Sequence, residues 1–476
     1  MRDDRSAVAG DTRMPNRLLC YYGDDFTGST DVLEALFRAG LRTILFLEPP
    51  EPELLNGAFR DADCFGVAGV GRSLSPEATV GELRPILETL RSAGAAVVHY
   101  KICSTFDSSP KLGSIGKAAE IGREVFSGPD QGRFIPMLVG VPYLRRYTVF
   151  GHHYAGAGSE VYRLDRHPTM SRHPVTPMAE SDLRAHLRQQ TSMRMSLLDI
   201  VALDGQPDAL RQRLDTIVKE EQPELVLFDV LDDKRLEAAG RLIWEEAAGG
   251  EGLFVIGSSG VEYALSAVWR QEGLLPAAQA AAAKAEAADK LLVVSGSCSP
   301  VTEKQIERAM QAGFAGLRVP VEELLQPEQA AQARAKLRQD TLELLQAGRS
   351  VILYSAAGPQ DASIGSLREL LAAQGLQAEE SSRLLGSELG ALAKALVAEA
   401  GLTRIVIAGG DTSGYVTREL GIYALECKAA LEPGGPLCRA YSNEPLFDGL
   451  ELVLKGGQVG SENFFEHVRA GTLSTE

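Results

Sequence analysis

The chain of 476 residues is poor in the residue patterns that mark metal, disulfide and membrane proteins. Its 6 cysteines, Cys20, Cys64, Cys103, Cys298, Cys427 and Cys438, form no CxxC pair, so neither a zinc site nor a disulfide framework is indicated. They read as small buried hydrophobes. The 7 histidines show no HxxxH or HExxH spacing, and His152, His153, His167 and His173 are not taken as metal ligands. No apolar stretch reaches the roughly 18 residues of a membrane-spanning helix. The polar start, residues 1–16, has no apolar core of the secretory kind and reads as a disordered lead. A cytoplasmic protein is expected. Positive charge is scarce: 48 Lys and Arg stand against 64 Asp and Glu, a net charge of −16. That excludes the broad basic face of a nucleic-acid binder, and no membrane partner is expected either. Phosphate, if bound, must be met by backbone amides or a few placed cations.

What is present is ordinary for a soluble globular chain: 45% hydrophobic and 24% charged residues. The length suggests two or three domains. Short apolar runs alternate with longer helical patterns. Leu18–Tyr22, Thr43–Leu47, Cys64–Val70, Ala95–Tyr100, Leu225–Asp229 and Leu253–Ile256 form one series. Leu291–Ser295, Val351–Tyr354, Arg404–Ala408 and Glu451–Leu454 form another. Continuous rather than alternating apolar runs point to parallel strands covered on both faces. The expected class is α/β: two domains, each a mainly parallel sheet flanked by helices. The alanine-rich stretch 275–290 reads as a helical linker, which puts the domains at 17–274 and 291–476. Phe134–Met178, rich in Pro, Gly and His, reads as irregular or β structure inserted in the first domain.

Chemistry concentrates where strands give way to helices. Gly23-Asp24-Asp25-Phe26-Thr27-Gly28-Ser29-Thr30-Asp31 follows the first strand, and its two carboxylates suit a general base toward a hydroxyl, or support of hydrated Mg²⁺. A plain reading remains, in which Asp25 or Ser29 only caps the helix. Lys101-Ile102-Cys103-Ser104-Thr105-Phe106-Asp107 follows another strand and suits a polyhydroxy acid: Lys101 for a carboxylate, Ser104 and Asp107 for hydroxyls. Arg72 adds a cation after a third strand. Ser295-Gly296-Ser297-Cys298-Ser299-Pro300, Gly409-Gly410-Asp411-Thr412-Ser413-Gly414 and Lys455-Gly456-Gly457 are small-residue turns that let amides approach phosphate. None is a P-loop or a GxGxxG turn. Ser258-Ser259-Gly260 reads as a helix cap.

Taken together, these runs resemble the four-carbon acid sugar kinases. GDDFTGSTD (23–31), KICSTFDSS (101–109), MSRHPVTPM (170–178), SGSCSP (295–300), GGDTSG (409–414) and KGGQVGSENFF (455–465) follow the family's patterns in order. KICSTFDSS resembles the branch acting on 3-oxo-tetronates; the sister branch acts on threonate and erythronate. The resemblance implies an N-terminal acid-sugar domain and a C-terminal ATP domain with the active site in the cleft between them, and phosphorylation of the terminal hydroxyl of a short sugar acid. It places Asp24, Asp25, Arg72, Lys101, Ser104 and Asp107 on the substrate side. It places Ser297, Gly409, Gly410, Asp411, Thr412 and Gly457 on the ATP side. The sequence departs from the pattern in three places. KGGQVG lacks an aromatic, Asp411 replaces a glutamate, and Leu112 is an apparent extra residue before Gly113. The last makes a branched 3-oxo-isoapionate a candidate substrate.

The expected mechanism uses Asp24 or Asp25 to orient or deprotonate the acceptor hydroxyl. Turn amides and Lys455 offset charge on the phosphoryl group, and Mg²⁺ is held largely by ATP phosphates and water. A non-catalytic nucleotide and sugar-acid binder is the rival from another class. A dehydrogenase is disfavoured by the missing dinucleotide fingerprint. A homo-oligomer is left open.

Overall fold

The computed structural model describes residues 17–126, 133–173, 175–248, 252–275, 285–361, 363–366 and 378–472. The lead 1–16 and most of the expected linker lie outside the described residues. The first half contributes β1 (Arg17–Gly23), β2 (Thr43–Phe46), β3 (Cys64–Ala68), β4 (Ala95–Lys101) and β5 (Ile135–Leu138). It continues with β6 (Arg146–Val149), β7 (His152–Ala157), β8 (Glu160–Arg163), β9 (Met195–Leu198), β10 (Leu225–Phe228) and β11 (Leu253–Gly257). The second half contributes β12 (Leu292–Ser295), β13 (Ala315–Arg318), β14 (Val351–Tyr354), β15 (Arg404–Ala408), β16 (Ile422–Ala429), β17 (Leu437–Ser442) and β18 (Glu451–Lys455).

Each half carries a mainly parallel sheet, and the two sheets are hydrogen-bonded edge to edge. The order is β13-β14-β12-β15-β18-β17-β16-β2-β3-β1-β4-β11-β5-β10-β9, a sheet of 15 strands among the described residues. The seam is the antiparallel pair β2–β16, with Phe46 opposite Ala424 and Ile44 opposite Glu426. Apolar runs foretold the central strands because those are buried on both faces, as in β1 and β4. They missed β16 and β17, whose pattern is broken by Glu426, Lys428 and Arg439. They also missed the four-residue strands β5, β9 and β13.

Three antiparallel steps, β18–β17, β17–β16 and β16–β2, reverse the parallel strands of one half relative to the other. In a flat sheet their carboxyl ends would lie on opposite edges. The turns that follow β1 and β18 nevertheless meet: a Cβ on Gly456 would lie 3.7 Å from Thr27 Cβ.

The helix Phe26–Arg38 ties the halves together. Val32, Leu33 and Leu36 join a core that runs on into Leu292, Leu425 and Leu452. Its buried Glu34 accepts from Gly434 N at 2.7 Å and from Arg38 Nε at 2.8 Å. At the seam, Arg42 Nε lies 3.0 Å from Glu426 Oε1. The Phe46 ring packs edge-on against Phe59 and Phe65 at 5.4 and 6.2 Å.

Within Phe134–Met178, β5 joins the main sheet and β6–β7–β8 form a separate antiparallel meander. Asp229 anchors the meander by accepting from the amides of Phe150 at 2.5 Å, Gly151 at 3.0 Å and Ile200 at 3.0 Å. Of the cysteines, Cys20, Cys64, Cys427 and Cys438 are buried, whereas Cys103 is half-buried and Cys298 exposed. Ser258 rather than Ser259 caps the helix Gly260–Gln271, accepting from Gly260 N at 3.0 Å.

A shared sheet should unfold as one unit. Phe46→Ala removes a fully packed ring at the seam and should destabilise the protein by about 3–5 kcal/mol. Far-UV circular dichroism and the fluorescence of Trp244 and Trp269, both in the first half, should report the same lowered transition. Two separable transitions, with only one shifted, would contradict a continuous sheet.

Candidate active site

Backbone hydrogen bonds sew the first set of turns together at the carboxyl ends of β1, β3 and β4. Asp24 N donates to Lys101 O and Arg72 N donates to Asp24 O, both at 2.9 Å. Asp25 is the N-cap of the helix Phe26–Arg38, so the plain reading of this residue holds as well. Its Oδ1 accepts from Gly28 N at 2.9 Å, and its Oδ2 accepts from Thr27 Oγ1 at 2.7 Å and pairs with Arg72 Nη2 at 2.9 Å. Gly28 is required here: a Cβ would overlap Asp25 Oδ1 and stand 2.9 Å from Lys101 Nζ. Arg72 Nη1 also lies 3.7 Å from Asp107 Oδ2, and Lys101 Nζ lies 3.8 Å from Asp31 Oδ2.

The two neighbouring aspartates are driven apart in acidity. Burial opposes ionisation of Asp25, but Arg72, Lys101, Thr27 and Gly28 outweigh it and hold its pKa below the ordinary value. Asp24 is pushed up to about 7, first by burial and then by the charge of Asp25. Its buried Oδ1 has no hydrogen-bond partner. One carboxylate is therefore committed and favours its charged form, and the other, with one oxygen unpartnered, titrates near neutrality.

The loop after β4 completes this side. Phe106 sits at φ 59°, in the left-handed region that a bulky side chain rarely occupies, with its ring buried 5.7 Å from that of His186. That turn presents Asp107, which accepts from Thr105 Oγ1 at 2.8 Å. Ser104 is held through its carbonyl, which accepts from His153 Nε2 at 2.8 Å. Burial lowers the His153 pKa to about 4, so the ring is neutral. Leu112 is absorbed in a closed turn, its carbonyl accepting from Ser109 N at 2.9 Å.

The second set of turns is built by the same device. Gly296 N donates to Ala408 O and Gly409 N to Lys455 O, both at 2.9 Å. Gly409 adopts φ 125°, open only to glycine, and a Cβ on Gly296 would overlap Thr412 Oγ1. Ser297, Gly409, Gly410, Thr412 and Gly457 line a cavity of about 280 Å³ with Gly296, Leu385 and Gly386. Leu385 and Gly386 come from the helix Ala378–Ala400 and carried no sequence signal. Gly386 allows that helix to approach, since a Cβ there would run into the ring of Tyr415. Asp411 lies in the first turn of the helix Gly410–Glu419, and its side chain lies outside the described residues.

Lys455 does not line the cavity. It is fully buried beneath the turn, donating from Nζ to Thr302 Oγ1 at 3.0 Å and to Gly456 O at 2.9 Å. Thr302 Oγ1 in turn donates to Gly457 O at 3.1 Å. Burial lowers the Lys455 pKa to about 7.

The two sets of turns meet. A Cβ on Gly456 would lie 3.7 Å from Thr27 Cβ, and one on Gly414 would lie 3.6 Å from the Phe26 ring. A larger hollow of about 480 Å³, lined by Arg84, Glu88, Arg91 and Glu124, sits on outer helices and contains none of these turns.

Comparison with known proteins agrees with this layout. Residues 19–265 match the family described as a sugar-binding N-terminal domain, and residues 292–465 match the one described as a nucleotide-binding C-terminal domain. A 3-oxo-isoapionate kinase of Paraburkholderia graminis is 46% identical, with 96% of this chain and 95% of that protein covered. A 3-oxo-tetronate kinase of Pectobacterium atrosepticum is 30% identical, with 93% and 96% covered. Among solved structures, a Salmonella typhimurium protein described as a candidate tRNA synthase shares the fold with TM-score 0.75 at 24% identity, covering 94% of this chain and 98% of that one. A Haemophilus influenzae protein shares it with TM-score 0.68 at 22% identity, covering 95% and 100%. Sugar-binding and nucleotide-binding halves in that order, with relatives of this identity along nearly the whole length, show that the chain belongs to the four-carbon acid sugar kinase family and is a sugar-acid kinase.

Proposed function

We propose that the chain transfers the γ-phosphoryl group of ATP to the terminal hydroxyl of a short 3-oxo sugar acid, with a branched 3-oxo-isoapionate as the preferred acceptor. In this reading residues 17–274 bind the acid sugar and residues 291–476 bind the nucleotide. The single observation that carries it is the free carboxylate oxygen of Asp24, in a turn whose neighbour Thr27 abuts the Lys455-Gly456-Gly457 turn. The higher identity of the 3-oxo-isoapionate kinase, 46% against 30%, favours the branched acid over a 3-oxo-tetronate.

Phosphoryl transfer asks the protein for in-line positioning and charge neutralisation. The glycine-lined cavity offers amides at the amino ends of the helices Pro300–Gln311 and Gly410–Glu419, where phosphate oxygens are stabilised without a large side chain in the way. The acceptor hydroxyl oxygen forms its bond to the γ-phosphorus as the bond to the bridging oxygen of ADP breaks. Asp24, in its carboxylate form, takes the hydroxyl proton. Asp25 fixes Arg72 and the start of the helix, and Asp107 and Ser104 shape the acid-sugar side. Lys455 holds the glycine turn from below rather than touching phosphate. Among the described residues no group of three or more His, Cys, Asp or Glu is placed to hold a metal. In this reading Mg²⁺, held largely by the nucleotide phosphates and water, would supply charge neutralisation on the phosphates.

A coupled ADP-release screen over four- and five-carbon sugar acids and their 3-oxo forms should give the highest kcat/KM with the branched 3-oxo acid. ADP release independent of any sugar acid would leave only a nucleotide-binding protein. Asp24→Asn should lower kcat by about 10² or more, and Asp25→Asn by a similar factor. Wild-type kcat/KM should rise with pH through about 7 as Asp24 loses its proton, then level off.

The same residue makes a stability prediction of opposite sign. The folded-state pKa of Asp24, about 7, lies above its ordinary value of 3.8, so the cost of its buried charge is absent below the ordinary value, grows between the two and is complete above pH about 7. Asp24→Asn should therefore raise Tm at pH 8 and leave it nearly unchanged at pH about 3. An equal or lowered Tm at pH 8 would show that its carboxylate is solvated or paired.

A further inference from the structure

Two cations beside the acid-sugar loops are already neutralised. Arg72 is held by Asp25 at 2.9 Å and by Asp107 at 3.7 Å, and Lys101 lies 3.8 Å from Asp31. A sugar acid brings a further negative charge and requires a cation that is not spent on an internal partner. Arg146, on β6, is such a cation. Its Nη1 donates to three main-chain carbonyls: Leu144 O at 2.9 Å, Arg145 O at 3.4 Å and Gly156 O at 3.4 Å. These fix the fork without cancelling its charge. Its Nε is shut off from solvent and has no partner, and among the described residues no carboxylate pairs with it. A buried, unpartnered guanidinium nitrogen calls for an explanation.

The meander aims this face at the substrate loop. Successive residues of a strand point to opposite faces, so Arg146 and Thr148 share one face. Thr148 Oγ1 lies 3.0 Å from His153 Nδ1, and His153 Nε2 donates to Ser104 O at 2.8 Å. Opposite Arg146 stands Ala155, fully buried, whose methyl group leaves room for the guanidinium. Burial lowers the Arg146 pKa, and outside the meander the groups it feels are Cys103, Asp107 and Asp31, all on or beside the substrate loop.

We propose that Arg146 is the guanidinium that receives the carboxylate of the sugar acid, while Arg72 and Lys101 hold the aspartates in place. A guanidinium is the side chain best matched to a carboxylate in charge and shape. The inference rests on the kinase reading above and gives the meander a purpose: it selects acids over neutral sugars. The other anion in the cleft, the γ-phosphate of the nucleotide, is separated from the carboxylate by the test.

The test uses the full-length chain, with Arg146→Ala and Arg146→Lys compared by steady-state kinetics. The acceptors are the best sugar acid of the screen and its neutral counterpart, in which the carboxylate is replaced by a carboxamide. Arg146→Ala should raise KM for the acid by about 30-fold or more while leaving KM for ATP and turnover of the neutral counterpart near wild type. Arg146→Lys should fall between, keeping charge but losing the fork, and it guards against a folding failure of the alanine variant. Added guanidinium ion should restore part of the Arg146→Ala loss on the acid alone. Equal losses on acid and neutral acceptor, or a raised KM for ATP in place of the acid, would overturn the assignment. A wild type that phosphorylates no sugar acid removes the kinase reading and this assignment with it. A wild type that does so, with an unchanged acid KM in Arg146→Ala, removes the assignment alone.

Discussion

The Asp25 carboxylate is the fixed point of the molecule. It caps the helix Phe26–Arg38 through Gly28 N, accepts from Thr27 and pairs with Arg72, so both its oxygens are occupied. Through that helix it fixes the buried Glu34, whose other contact is the amide of Gly434 in the second half. The helix that Asp25 starts thus also makes a buried contact with the second half. Charge held this firmly has a local consequence. Burial first, and then the charge of Asp25, oppose ionisation of the neighbouring carboxylate, so the Asp24 pKa rises to about 7.

The joined sheet gives that arrangement its rigidity. Two free-standing lobes would need a linker and a hinge to bring their turns together. Here the seam β2–β16, the helix Phe26–Arg38 and a core shared by both halves place Thr27 against Gly456 in the folded chain. The connection runs through three antiparallel steps between the two parallel sets of strands.

The two sides of the cleft handle charge in different ways. The nucleotide side lines its cavity with glycines, hydroxyls and helix starts, and its one conspicuous cation, Lys455, is folded underneath as a support. The acid-sugar side is crowded with charges that mostly cancel one another. Selectivity for an acid then depends on what is left over, and the meander supplies it from outside the parallel sheet.

Much of this was legible in the chain itself. Apolar runs with two covered faces announced β1, β4, β12 and β15, and the small or acidic residues that end them announced the turns, because backbone geometry at a strand-to-helix junction restricts which residues fit. Ser297, Gly409, Gly410, Thr412 and Gly457 line one cavity for that reason. Tertiary structure alone decided the rest. The fate of Lys455, the division of labour between Asp24 and Asp25, and the uncancelled charge of Arg146 depend on which neighbours are buried together. Leu385 and Gly386 reach the cavity only through helix packing. Electrostatics and burial are properties of residues far apart in the chain, and a local pattern carries no record of them.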